Sequence, residues 1–523
     1  MANGDLFAGL DVSTQGCKLV VIDPAEIAVV HLDALNYDEA LPHYGTRDGA
    51  IEGLGDGVSE SNPAMWIEAV ETLLGRLADS PVDATAIRCM SVSGQQHGLV
   101  ALDSDGRLAR PRAKLWNDFS TAAECQYLTD AVGGLDQMVE LVGNSQRTGY
   151  TAGKILHFVR HEPEAYGRTQ MLFLVHNYIN WFLSGGVATM EPGDTSGMAL
   201  WHPGTKQWAQ PVLDAIAPDL AAKLPPVTDS DATIGSLAPQ LAERFGMSAD
   251  CRIDAGCGDN MYGAIGTGNY RPGIVTVSLG TSGTAAVYMD DPFVDPSGEI
   301  ASFCDSTGGY LPLLCVSNMA NGYNAFLRNF GVSHADFDQL LEATTPGNSG
   351  RVLVPWYEGE RTPDLPDAAP VYFGFGVEDF EPETLARAVL EGHVHSLYSG
   401  YRRFPDAECI HLTGGLSRSR SWCQMIADIF QVDAVPVEGE GAALGAALHA
   451  AWVWQKETGA GRTIAEVADP FVALSERRRA SPRPDRRERY GLQRRLYQAV
   501  ADRTRGLEAE DPMALRASLL RAN

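Results

Sequence analysis

No two of the nine cysteines are spaced as CxxC, and no Cys/His cluster has the spacing of zinc ligands. The odd, dispersed count argues against a disulfide framework and for reduced thiols. Positive charge is scarce: 40 Lys and Arg stand against 67 Asp and Glu, for a formal net charge of −27. Such an acidic surface repels nucleic-acid phosphates and anionic lipid head groups, so neither nucleic acid nor membrane is an expected partner. Long apolar runs are missing as well. The most apolar late stretch, residues 442–454, is too short to span a bilayer and contains His449. The opening MANGDLFAGLDVS has no basic stretch leading into an apolar one, unlike a secretory signal. A cytoplasmic protein is the expectation.

What is present begins with size. At 523 residues the chain exceeds what one core fills, which predicts two domains. Residues 6–23 carry FAGLDV, a polar turn STQG and KLVVID, the pattern of a β-hairpin. A comparable unit recurs at residues 273–289: GIVTVS, LGTSG, TAAVYM. The duplication suggests two domains of like design, each offering a phosphate-facing turn to a shared cleft. Strand-like runs alternate with helical stretches, which favours an α/β fold. The boundary is placed near residues 269–273, giving domains 1–270 and 271–500 and a C-terminal tail, 501–523. Residues 45–63, rich in Gly and polar groups, read as a long surface loop. The arginine-rich run 477–487, broken by Pro482 and Pro484, reads as a solvated connection. Beyond the turn Thr413-Gly414-Gly415, the spacing of Trp422, Met425, Ile426, Ile429 and Phe430 predicts a helix. The later stretch dense in Gly and Ala predicts a helix that packs closely and is buried.

Several of these features carry chemistry. A turn between strands, such as Asp11-Val12-Ser13-Thr14-Gln15-Gly16, can aim successive N–H groups at phosphate oxygens, with the Thr14 hydroxyl and Lys18 adding a donor and a charge. A carboxylate beside phosphates is tolerable when a cation lies between them, so Asp11 points to Mg²⁺. The alternative is an Asx-type turn with a structural Asp. The turn Gly280-Thr281-Ser282-Gly283 has the glycines and hydroxyls for the same task, and Gly414-Gly415 before a helix would present further N–H groups to a nucleotide. Asp259, raised on small residues in AGCGDN, could meet a substrate hydroxyl as a base, or simply cap the helix that follows. His97 in SGQQHG can both donate and accept hydrogen bonds, which suits a polyhydroxylated ligand, although a lone His is more often structural.

The set GLDVSTQGCK, SGQQHG, LWND, GCGDNMYGAIGTG, SLGTSG and TGG-x-S followed by WCQMIADIF resembles the FGGY carbohydrate kinases, and most of all their longer branch acting on D-xylulose. The similarity runs from about Leu6 to about Trp452, with an echo in RYGLQRRLYQAV. It implies an α/β architecture of two actin-like (ribonuclease H-like) ATPase domains flanking a central cleft, the first with the sugar pocket and the second with the ATP site. It also implies MgATP as donor and D-xylulose as acceptor, with ribulose, another ketose or a polyol as alternatives. By resemblance Asp259 is the catalytic base and, with Asp11, a metal contact. Gln96, His97, Trp116, Asp118, Arg147, Asp194 and Asn260 join Asp259 at the sugar. Thr14, Gln15, Lys18, Gly280, Thr281, Ser282, Gly414, Gly415 and Ser419 fall to the nucleotide. Ser13 and Gln96 replace the common Gly and Met, as in that longer branch, and Cys257 stands where small residues are usual. His97 separates the pattern from glycerol kinases. A non-catalytic actin-like binding protein is the distant alternative, and a homodimer is left open.

Overall fold

The chain is traced in a computed structural model that describes residues 4–439 and 441–522. It folds as two units. The first comprises the chain up to Arg271 together with Tyr288–Pro312 and Gly439–Val472; the second holds Pro272–Val287, Leu313–Glu438 and the chain from Ala473. Each unit is therefore built from segments distant in sequence.

In the first unit a meander of β1 (Leu6–Val12), β2 (Gly16–Asp23) and β3 (Ala28–Asn36) joins β4 (Ile87–Gly94), β5 (Thr233–Ser236), β6 (Arg252–Asp254) and β7 (Cys257–Gly258). The order is β5-β6-β4-β1-β2-β3, with β7 also paired to β4. β1, β6 and β7 all run parallel to β4. β1 is central, and Leu6, Phe7, Ala8, Leu10 and Val12 are all buried, as a strand covered on both faces requires. The edge strand β3 keeps Val29, Val30 and Leu32 partly in solvent. The helix Pro63–Ala78, capped by Asn62 and opened by Pro63, buries Met65, Trp66, Ala69, Val70 and Leu73 beneath the sheet.

The Gly/Ala-rich stretch forms the helix Gly441–Glu457, buried as its composition suggests. Close backbone approach explains that composition. A Cβ on Gly9 of β1 would fall 2.2 Å from the Ala443 carbonyl, and one on Gly445 would fall 1.8 Å from that of Tyr262. At the centre of this helix His449 is fully buried, with Nδ1 2.8 Å from Asp254 Oδ2 and Nε2 2.9 Å from the Ser306 carbonyl.

The second unit repeats the plan. Strands β8 (Ile274–Leu279), β9 (Gly283–Val287), β10 (Leu313–Val316), β11 (Cys409–Thr413), β12 (Asp433–Glu438) and β13 (Ala473–Leu474) lie in the order β10-β9-β8-β11-β12-β13. As in the first unit, an antiparallel meander is followed by two parallel neighbours. The arginine run is held by ion pairs rather than merely solvated. Arg478 meets Glu438 at 3.0 Å, Arg479 meets Asp433 at 3.1 Å, and Arg483 meets the buried Asp428. Nor do the last residues trail: the helix Pro512–Arg521 buries Leu515 and Leu519 in a cluster with Val354, Trp356 and Leu496. Among the described residues, no helix is long and apolar enough to cross a membrane.

Candidate active site

Parallel pairing brings three strand ends of the first unit to one edge of the sheet. Asp11 stands opposite Ser93, Val12 opposite Gly94, and Gly258 opposite Gly94 on the other side. The turn after β1, the SGQQHG loop after β4 and Asp259 after β7 therefore emerge side by side. Glycine is needed at this junction, since a Cβ on Gly94 would meet the His176 amide nitrogen at 2.7 Å.

The first turn is closed by Ser13, whose amide and hydroxyl both donate to the Gly16 carbonyl, at 3.0 and 2.9 Å. This gives the Ser-for-Gly departure a job. Thr14 is tied to Gln95 Oε1 at 3.3 Å, Gln15 is exposed at the tip, and Lys18 pairs across the hairpin with Asp11. Asp11 accepts from the Ser93 hydroxyl at 2.8 Å. Burial pushes its carboxyl up to about 6, against the Ser93 hydroxyl and the Lys18 charge.

Asp259 opens the helix Asp259–Gly266, with Gly258 at the N-cap, so its side chain is not the cap that a purely structural Asp would supply. The residue is only partly buried, yet its carboxyl is pushed up to about 8, first by desolvation and then by the charges of Asp11 and Asp194. Neighbouring Asn260 donates to Gln96 Oε1 at 2.5 Å.

His97 has left-handed backbone geometry, φ 63°. Its amide donates to Asp194 Oδ1 at 3.4 Å, and its ring meets Tyr150 edge-on at 5.0 Å. Gly197 lies so close that a Cβ there would touch the imidazole at 2.4 Å. Asp194 is fully buried, set by Glu191, which accepts from the Gly193 and Asp194 amides, and faced by His176 Nδ1 at 3.3 Å. It therefore supports His97 from behind. Lys154, also fully buried, donates from Nζ to the carbonyls of His97 and Gly149 at 2.7 and 2.6 Å. Burial lowers the ammonium's pKa to about 7. Sequence reading missed Lys154, Glu191 and His176; a lysine amid the buried face of Thr151–His161 was the available signal.

The LWND residues divide. Trp116 is 42% exposed and donates from Nε1 to the Thr14 hydroxyl at 2.9 Å. Asp118 is fully buried, and its oxygens accept from Lys114 Nζ, the Ser59 amide and Ser120. That engagement makes it a brace for the turn carrying Trp116 rather than a free ligand group. Arg147 donates from Nε to the Ser145 hydroxyl at 3.0 Å, and nearby Gly149 packs against the Trp116 carbonyl.

In the second unit the two glycine turns also lie together, because β8 and β11 are parallel neighbours with Ser278 opposite Thr413. Gly414 (φ 82°) has no room for a side chain, since a Cβ would lie 2.6 Å from the Leu279 backbone. Thr281 and Ser282 are exposed at the tip of their turn. One 3-10 turn, Gly415–Arg418, which begins at the second glycine of the pair, precedes the helix Arg420–Phe430, which Ser419 caps. Ser419 thus spends its hydroxyl on the helix.

No group of three His, Cys, Asp or Glu side chains converges as a metal cage among the described residues. Asp11, raised by burial, and Asp259, raised by burial and then by the charges of Asp11 and Asp194, are hard oxygen donors of the kind that would hold a divalent cation.

The N-terminal domain of the FGGY family of carbohydrate kinases matches residues 6–266, and its C-terminal domain matches residues 275–454. The xylulose kinase of Haemophilus influenzae is 34% identical over 489 residues, covering 91% of this chain and 95% of that protein. The xylulose kinase of Streptomyces coelicolor is 33% identical, covering 92% and 95%. Among solved structures, the xylulose kinase from Bifidobacterium adolescentis superposes with a TM-score of 0.79 at 26% identity, over 93% of this chain and 99% of that one. The fold is accordingly that of paired actin-like, ribonuclease H-like domains. With both family domains present in order along one chain and relatives aligned nearly end to end, this protein belongs to the FGGY family of carbohydrate kinases.

Proposed function

We propose that the protein transfers the γ-phosphoryl group of ATP to D-xylulose, giving D-xylulose 5-phosphate and ADP. The observation that carries this reading is Asp259: a partly buried carboxyl at a helix start, pushed up to about 8 and flanked by groups able to hydrogen-bond hydroxyls. A base whose pKa lies near the working pH is well matched to proton removal. In the proposed step Asp259 takes the proton of the attacking sugar hydroxyl. The freed oxygen bonds to the γ-phosphorus as the bond to the ADP oxygen breaks. Little covalent work falls to the protein beyond positioning and charge stabilisation.

Gln96, His97 and Asn260 hold sugar hydroxyls, with Trp116 as a wall and Arg147 at the periphery; Asp194 and Asp118 act through His97 and the Trp116 turn. Thr14, Gln15 and Lys18 face the transferred phosphoryl group. Gly280, Thr281, Ser282, Gly414 and Gly415 receive the rest of the nucleotide, with Ser419 acting through the helix that it caps. Asp11 and Asp259 would hold a magnesium ion, which would supply charge neutralisation on the phosphates. D-Xylulose as acceptor is supported by the names of the aligned relatives. The test is ADP release with MgATP over a panel of pentuloses, hexuloses and polyols. D-Xylulose is expected to give the highest kcat/KM. A higher value for another member would replace the acceptor, and stimulation by none would remove the reading.

A further inference from the structure

Within the second unit one buried carboxylate stands at the head of a hydrogen-bond chain that ends on the Gly280–Gly283 turn. Glu360 is 3% exposed. Its Oε1 accepts the amides of Ser317 and Arg361, at 2.5 and 2.7 Å, and its Oε2 accepts from Asn318 Nδ2 at 3.3 Å. Asn318 is fully buried, and its Oδ1 accepts from Asn321 Nδ2 at 3.1 Å. Asn321 Oδ1 in turn accepts the amides of Met319 and Gly322, at 2.9 and 2.8 Å. Those bonds form the start of the helix Ala320–Phe330, which has no side-chain cap from its own N-cap residue, Met319. The chain then reaches the turn itself. Met319 N–H also donates to the Thr281 carbonyl at 3.2 Å, and Ala320 N–H donates to the Gly280 carbonyl at 3.0 Å.

The consequence follows from peptide geometry. In a planar trans peptide the carbonyl of one residue and the N–H of the next point in opposite directions. Holding the carbonyls of Gly280 and Thr281 toward the helix start turns the N–H groups of Thr281 and Ser282 to the other side. There both residues are exposed. Phosphate oxygens are bound by such successive, similarly aimed N–H groups. Burying a carboxylate is costly unless it is well hydrogen-bonded; this one accepts the Arg361 amide beside it, and also the Ser317 amide and the Asn318 side chain that lead into the support of the turn.

We propose that Glu360 is a positioning residue for nucleotide binding: through Asn318 and Asn321 it fixes the helix start that aims the Thr281 and Ser282 amides at the phosphates of ATP. This rests on the reading that the turn receives the nucleotide. Glutamine in place of Glu360 keeps the shape and replaces one acceptor by a donor, setting N–H against N–H at the head of the chain.

The experiment uses the full-length enzyme. Glu360→Gln should raise the KM for ATP and the Kd for ADP by ~10-fold, with the KM for the sugar changed less than ~2-fold. Asn321→Ala should move the same constants in the same direction, and serves alone should Glu360→Gln fail to fold. Leu515→Ala, placed in the core cluster of the same unit, controls for lost stability and should leave the ATP constants unchanged. Hydrogen exchange at the peptide spanning residues 280–283, with and without ADP, tests the underlying reading by itself. Slowing by ADP supports it, and no slowing removes it together with the proposal. If ADP slows exchange but Glu360→Gln and Asn321→Ala both keep the wild-type KM for ATP and Kd for ADP, Glu360 has no such role. Equal losses for sugar and ATP, or a matching rise in KM for ATP in Leu515→Ala, would make Glu360 merely structural.

Discussion

The indole of Trp116 donates a hydrogen bond of 2.9 Å to the hydroxyl of Thr14, joining the LWND turn to the first phosphate turn across 102 residues of sequence. Thr14 is fixed from its other side by Gln95, so the bond constrains the orientation of a hydroxyl assigned to the phosphoryl group. Trp116→Phe keeps the ring and loses the donor. One such hydrogen bond contributes about 1 kcal/mol, so thermal melting should shift little. Steady-state kinetics should show a rise of roughly fivefold in KM for sugar, ATP or both. Unchanged constants would mean that the bond is incidental.

Asp259→Asn should lower kcat by ~10²-fold or more while circular dichroism and sugar binding are retained, the usual scale for removing a general base. Retained turnover would place the base elsewhere.

Lys154 secures a conformation that His97 would not choose alone. A left-handed backbone is disfavoured for a side chain of this kind, and the ammonium pins the carbonyls at both ends of the loop contact. Lys154→Met leaves the Gly149 carbonyl without its ammonium donor and the His97 carbonyl with only the Thr151 hydroxyl, at a cost of about 1–3 kcal/mol in stability. The sugar KM should rise by ~10-fold while the KM for ATP stays near wild type. His97→Ala should show the same selectivity. An effect on ATP alone would contradict the assignment of this loop to the sugar.

These residues also mark how far the sequence could be read. Hairpins with polar Gly turns are local features, so both hairpins and their turns were legible from residues 6–23 and 273–289, while the third strand of each meander was not. Asp259 and His97 stood out because their flanking small residues form motifs. Lys154 and Glu360 were not legible, since each acts through partners distant in sequence: Lys154 Nζ reaches His97 across 57 residues, and Glu360 reaches Ser317 across 43. The helix Gly441–Glu457 read correctly as buried and closely packed, while its partners, Gly9 and Tyr262, lie far upstream. Asp118 read as a ligand group because its motif says nothing of Lys114 and Ser59, which engage it.

Gly445 gives a test of that close packing. A methyl group there would overlap the Tyr262 carbonyl, a backbone atom that cannot rotate away. Gly445→Ala should therefore destabilise by ~3 kcal/mol or more despite alanine's better helix propensity. Urea denaturation checks the sign: propensity alone would make the variant more stable.

The raised pKa of Asp259 has a thermodynamic consequence independent of turnover. An acid whose pKa moves from 3.8 to about 8 on folding binds its proton more tightly in the folded state. Stability then falls as pH rises between those two values, the reverse of the effect of a salt-bridged carboxylate. Asparagine at 259 cannot ionise and escapes this loss. In EDTA, the melting temperatures of wild type and Asp259→Asn should differ least at about pH 4, and the variant should gain steadily until about pH 8, then level off. Asp11 titrates in both proteins, at about 6 in the wild type, so the comparison isolates position 259 to the extent that the two charges do not interact. The double variant Asp11→Asn, Asp259→Asn against Asp11→Asn measures that remainder: removing Asp11 should narrow the gap at high pH, because Asp11 is one of the charges that raise Asp259. A gap that stays constant from about pH 4 to about pH 8 would show that Asp259 ionises freely, and the argument for its basicity would fall with it.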